Sequence, residues 1–236
     1  MIWALMGLSA GLAQAGPGGL NLGWDDCGGQ PASQDRAFLC NTSSGSNTLV
    51  ASFVAPCCLT KVTRIDFVLD LQSASDGFPD WWAFAPGSCR YSSLTMDLFA
   101  SGPFTCSDYW TGRLPSIGVW PYEVFKNRMR IKRGIAIFPD YAGPIPEGTE
   151  TYLLKYVIDN ARTTGSGSCE GCATGICIVL NSANVMQAAG TPGGDKFISA
   201  PASRSWATWQ GGIGSNCYQA TPARNATWGS IKTLYR

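Results

Sequence analysis

Ten cysteines set the first limit on what this chain can become. They are Cys27, Cys40, Cys57, Cys58, Cys89, Cys106, Cys169, Cys172, Cys177 and Cys217. An even number of thiols, none before Cys27, reads as a disulfide framework made in an oxidising compartment. The first residues agree. Ile2 to Leu12 is an apolar stretch too short to span a bilayer. Ala13-Gln14-Ala15 then supplies a small-x-small cleavage site. No Lys or Arg precedes the stretch, so its positive end is the terminal amine or lies upstream of Met1. Residues 1–15 therefore read as a signal peptide, 16–217 as a single β-sandwich domain and 218–236 as a C-terminal tail. The expected location is secreted: extracellular, periplasmic or at the cell surface. No other stretch is long and apolar enough for a transmembrane helix.

Three of the cysteines crowd into "GSCEGCATGICIVLN", residues 167–181. Cys169-x-x-Cys172 has the spacing of half a zinc knuckle, but the remaining cysteines supply no second CxxC pair. A thioredoxin-type redox motif opens a helix, whereas this cluster runs into an apolar strand. The expectation is a disulfide-stapled loop. Three cysteines cannot all pair among themselves, so one must reach a distant partner such as Cys217, Cys57 or Cys58, or stay free. Elsewhere the expected local bonds are Cys27–Cys40 and Cys89–Cys106, each around a turn-rich segment. Cys57 and Cys58 are adjacent, a disulfide between neighbours distorts the peptide, and different partners are expected for them.

Short β-branched and aromatic runs alternate with Gly, Pro, Ser, Asn and Asp clusters, and helical periodicity is nearly absent. In "KVTRIDFVLDLQSA" (61–74), Ile65, Phe67, Leu69 and Leu71 alternate with Asp66, Val68, Asp70 and Gln72, the period of a strand with one buried face. Further strands are expected over 47–54, 93–100, 128–138, 151–161 and 175–187, with shorter ones in "DKFISA" and "RSWATWQG". The runs 151–161 and 175–187 flank the cysteine-rich segment and read as a hairpin with a long ordered loop. The fold class is all-β: an antiparallel two-sheet sandwich, jelly-roll-like, with long disulfide-stapled loops and a short C-terminal helix or tail. Thr227 can N-cap that helix, with Trp228, Ile231 and Tyr235 on one face.

The chain has no histidine. That removes Ser-His-Asp and Cys-His catalysis and most zinc and copper sites. No P-loop motif is present. The net charge of +1 gives no field to draw nucleic acid or an anionic membrane. No cofactor is expected. Recognition falls instead to aromatics. "DGFPDWWAF" (76–84) holds Trp81 and Trp82 beside Asp80, and "CSDYWTG" (106–112) holds Tyr109 and Trp110. Exposed Trp and Tyr faces stack on sugar rings, and Asp76, Asp80 or Asp108 would suit hydroxyls or calcium. The competing reading places these rings in the core, as sandwiches do with Trp. The functional expectation is a non-catalytic extracellular or surface protein, structural or binding, with glycans or other cell-surface components as partners. The alternative is a carbohydrate-active hydrolase, which would need an Asp/Glu pair. Asp80, Asp108, Glu123 and Asp140 lie near aromatics, but none stands in a specific motif.

The segments "LNLGWDDCG", "FLCNTSSGSNTLVASFVAP", "VLDLQSAS", "DWWAF", "GSCR", "SGPFTCSDYW", "CEGCATGICIVLNSANV" and "TWGSIKTLYR" together resemble an uncharacterised group of secreted, cysteine-rich bacterial proteins from Eisenbacteria-like environmental genomes. The resemblance covers nearly the whole chain after residue 15. It implies export and carries over no catalytic or binding residue. Endings similar to "WGSIKTLYR" in such bacteria suggest Trp228–Arg236 as a sorting or docking tail, an idea that fails if deleting it leaves localisation unchanged.

Overall fold

A computed structural model describes residues 18–29, 33–100, 102–212 and 217. The expected signal peptide and the tail at 218–236 lie outside them. The described residues form twelve strands: β1 (Gly19–Trp24), β2 (Asp35–Arg36), β3 (Ser46–Val54), β4 (Val62–Ser73), β5 (Leu94–Asp97), β6 (Ser116–Val119), β7 (Glu123–Val124), β8 (Arg128–Ala136), β9 (Glu150–Asp159), β10 (Ile176–Gln187), β11 (Lys196–Ile198) and β12 (Trp206–Trp209). They form two sheets, as expected. The smaller has the order β1-β3-β9-β5, and the larger β2-β12-β10-β4-β8-β6. In the larger sheet β11 also pairs with β10, and β7 with β8. All pairings are antiparallel except β2 with β12.

The alternation in β4 places its residues as its period demands. Ile65, Phe67, Leu69 and Leu71 are buried, and Asp66, Val68 and Gln72 are half-buried on the opposite face. Leu69, Leu71, Ile131 and Ile178 of the larger sheet meet Leu49, Leu94, Tyr156 and Ile158 of the smaller around one small void. Each aliphatic side chain buried there contributes about 1.5–3 kcal/mol. Asp70 breaks the pattern, being a buried carboxylate on the outer face. Arg130 holds it through two hydrogen bonds of 2.7 and 2.8 Å, and the Asn181 amide donates a third at 2.7 Å. That fully bonded geometry is what lets a charge stay buried.

The expected hairpin between 151–161 and 175–187 is not formed. β9 pairs with β3 and β5, whereas β10 pairs with β4, β11 and β12, so the two strands lie in different sheets. The cysteine-rich loop is therefore a crossing between layers. Both strands have neighbours on each side, and adjacency in sequence says nothing about which neighbours those are.

The expected local disulfides Cys27–Cys40 and Cys89–Cys106 are also absent. The bonds are Cys27–Cys106, Cys40–Cys172, Cys89–Cys169 and Cys177–Cys217. The cause is topological. β3 and β10 start, and β4 and β9 end, at one end of the sandwich. The loops holding Cys40, Cys89, Cys169 and Cys172 therefore gather there from distant parts of the chain. All three cysteines of the 167–181 segment reach distant partners, not one of them. Cys57 and Cys58 bond neither different partners nor each other. Loop closures of this kind typically stabilise a fold by about 2–4 kcal/mol each.

Candidate binding surface

The aromatics singled out in the sequence are core residues. Trp81 and Trp82 lie in a single 3-10 turn, Asp80–Trp82, and both are 0% exposed. The Trp81 indole nitrogen donates to Thr163 Oγ1 at 2.8 Å. The Arg90 guanidinium lies 3.5 Å from the Trp81 ring centroid and donates to the Trp81 carbonyl at 2.9 Å and to the Asp159 carbonyl. Both rings pack on Trp209, at 4.9 and 5.3 Å between centroids, and Trp209 stacks on Phe38 at 3.9 Å. The crossing loop closes this cluster from outside, since the Trp81 amide donates to the Glu170 carbonyl. Neither tryptophan presents a face to solvent, and the case for glycan stacking on them is lost.

Tyr109 and Trp110 fare the same way. The Tyr109 hydroxyl donates to the Val62 carbonyl at 2.7 Å and accepts from the Gly143 amide at 3.1 Å. Burial pushes this phenol up from its ordinary value. The Trp110 indole donates to the Leu153 carbonyl at 2.8 Å. Asp108 accepts from the Trp110 and Thr111 amides and from the Thr111 hydroxyl, so its carboxylate shapes the turn. Asp80 is exposed at the start of its 3-10 turn. Glu123 pairs with Lys132. Among the described residues no three Asp, Glu or Cys side chains gather as a metal site would require.

A different surface combines exposed rings with free polar groups. One row of residues crosses the outer face of the larger sheet through paired positions: Gly118 of β6, Gly134 of β8, Asp66 of β4, Asn184 of β10 and Phe197 of β11. From β8 to β11 this row spans about 14 Å, three strand spacings. Above it lies a groove of about 310 Å³. Trp120 forms one wall and Phe197 the other, 39% and 69% exposed. Asp66, Val68, Ser182 and Asn184 make the floor, with Lys132 beside them.

The glycines explain how Trp120 comes to lie there. A Cβ on Gly134 would stand 3.1 Å from the Trp120 ring and 2.2 Å from Asp66 Oδ1. A Cβ on Gly118 would be 3.6 Å from the same ring. The indole thus lies over bare backbone on one side and faces the groove on the other. Arg64 reaches across from β4, with Nε 2.7 Å from Asp66 Oδ1 and its guanidinium 5.6 Å from the Trp120 centroid. Asp66 Oδ2, the Ser182 hydroxyl and the Asn184 amide have no hydrogen-bond partner among the described residues. All three residues are half-buried, so these groups are available to a ligand. This surface is not among the sites expected from the sequence. Its signal was a lone Gly inside each of "SIGVW" and "KRGIAI", a mark of close approach to a strand.

No family model and no curated protein matches the chain. Among solved structures it is similar to a cohesin module from a family 33 glycoside hydrolase of Clostridium perfringens ATCC13124, at 11% identity and a TM-score of 0.38, covering 81% of this chain and 96% of that one. A likeness of that size carries no argument.

Proposed function

We propose that this protein is a secreted, non-catalytic binding module whose groove between Trp120 and Phe197 holds a short carbohydrate chain. The observation that carries the reading is the pairing of two exposed rings with an unsatisfied polar floor. Aromatic faces take the apolar faces of sugar rings, and the Asp66, Ser182 and Asn184 groups suit their hydroxyls. Lining of this kind, apolar walls with a few placed polar groups, is the usual form of a ligand site. Four disulfides agree with an oxidising compartment, as does the resemblance to secreted bacterial proteins. A glycosidase would need two facing carboxylates, and the groove lining contributes one, Asp66.

The test is a glycan array probed with the chain after removal of its first 15 residues. Binding to an oligosaccharide is expected, weakened about tenfold or more, ~1.4 kcal/mol, by Trp120→Ala and by Phe197→Ala. A blank array, or binding that neither substitution weakens, overturns the proposal.

A further inference from the structure

Eight of the ten cysteines are accounted for by long-range bonds, and each bond has at least one fully or nearly fully buried half. The remaining two are neighbours in the turn between β3 and β4. Their sulfurs lie 2.8 Å apart, inside the roughly 3.5–4.0 Å of ordinary non-bonded contact. Cys58 has a φ of 71°, so the turn already holds the left-handed backbone that non-glycine residues rarely adopt. Its surroundings hold it in place. The Gln187 side chain donates to the Cys58 carbonyl at 3.1 Å and to the Gly194 carbonyl at 2.6 Å, and accepts from the Thr60 amide at 2.7 Å. A Cβ on Gly193 would stand 2.8 Å from Cys58 Cβ, so the β10–β11 connection packs directly against the pair.

We propose that Cys57 and Cys58 are a vicinal dithiol that closes reversibly into a ring disulfide by exchange with an external disulfide. In the first step the Cys58 thiolate attacks one sulfur of the external disulfide. A mixed disulfide forms on Cys58 and one external thiol leaves. In the second, the Cys57 thiolate attacks Cys58 Sγ, the ring bond forms and the second external thiol leaves. The two cysteines lose two protons and two electrons, and the external disulfide gains them. Cys58 is the exposed member, which makes it the entering sulfur. The hydrogen bond with Cys58 pushes the Cys57 thiol up, so Cys57 keeps its proton while Cys58 is the attacking sulfur. An exposed single thiol in an oxidising compartment would crosslink to another chain. Here the adjacent thiol resolves any mixed disulfide first.

The full chain, purified without reductant, is unfolded and treated with N-ethylmaleimide. No label is expected at Cys57 or Cys58, and the chymotryptic peptide 54–59 is expected two hydrogens lighter than its dithiol form. After mild thiol reduction of the folded protein, two labels are expected, both on this peptide. The reduced protein is also expected to bind one equivalent of a trivalent arsenical, and Cys57→Ser to bind none. Two labels without reductant, a bond from either cysteine to any of the other eight, or a reducible dimer of the unsubstituted chain would each overturn the proposal. A Cys57→Ser/Cys58→Ser chain that keeps its thermal midpoint is expected. A fall as large as that from losing one of the four buried bonds would assign the pair to the structural framework instead.

Discussion

Trp81 and Trp120 carry the same indole into opposite settings. Trp81 has a cation on one side, Arg90, and the Trp209 ring near its other contacts, and none of it reaches solvent. Trp120 has bare glycine backbone beneath it and open groove beside it. The difference lies in the neighbours. Around Trp81 the crossing loop, held by Cys40–Cys172 and Cys89–Cys169, brings a lid of chain over the rings. Around Trp120, β6 and β8 contribute bare glycines, β4 contributes the Arg64 guanidinium 5.6 Å from the ring centroid, and no loop among the described residues forms a lid. A tryptophan is thus a core residue or a contact surface according to what the chain stacks on its second face.

The largest test of that contrast is Trp81→Ala. Deleting a fully buried indole is expected to lower the unfolding free energy by about 3–5 kcal/mol in urea denaturation, whereas Trp120→Ala is expected to lower it by no more than about 1 kcal/mol. If the two costs were equal, the groove wall would be a structural element and not a recognition surface. A smaller effect is expected from Gly134→Ala. Its methyl would meet Asp66 Oδ1 and the Trp120 ring. The carboxylate can swing away, so the cost should sit at the low end of overpacking, about 1 kcal/mol. The Trp120 ring should be lifted, read as a red shift in tryptophan emission and a loss of glycan binding. Unchanged emission would mean that the glycines do not seat the ring.

The smallest expected effect concerns the inner layer alone. Burial pushes the Tyr152 and Tyr156 phenols well above their ordinary value. In the unfolded chain they ionise near pH 10. Between that pH and the folded values the native state holds more protons, so stability is full below pH about 10 and falls as pH rises further. The Tyr156 hydroxyl has no hydrogen-bond partner among the described residues. Tyr156→Phe should therefore leave neutral-pH stability equal or higher, by up to about 1 kcal/mol, and should shrink the alkaline loss. Chemical denaturation across that pH range is the measurement, and a destabilised Tyr156→Phe protein would reveal a bonded hydroxyl.

Local pattern made part of this fold legible. The alternation in β4 named its inward face correctly at Ile65, Phe67, Leu69 and Leu71 because one sheet face is wet. It failed at Asp70, whose burial depends on Arg130 and Asn181 from strands distant in sequence. The hairpin expected around the 167–181 segment failed for a related reason: two apolar strands joined by a loop look alike whether they pair or face each other across a core. Disulfide partners were illegible because they depend on which loops share an end of the sandwich. The candidate site was illegible in the same way. Gly118, Gly134, Asp66, Asn184 and Phe197 are scattered between positions 66 and 197 of the chain, and only strand register aligns them.

The Cys40–Cys172 bond encloses Cys27–Cys106 in part and Cys89–Cys169 entirely. Every peptide bond between Cys40 and Cys172 therefore lies inside a covalent ring. A protease that cuts once anywhere in that stretch, including the glycine- and serine-rich start of the crossing loop, leaves both pieces attached. Such a chain would migrate as one species until reduced. For a protein exposed to foreign proteases, a single nick would be damage without dissociation.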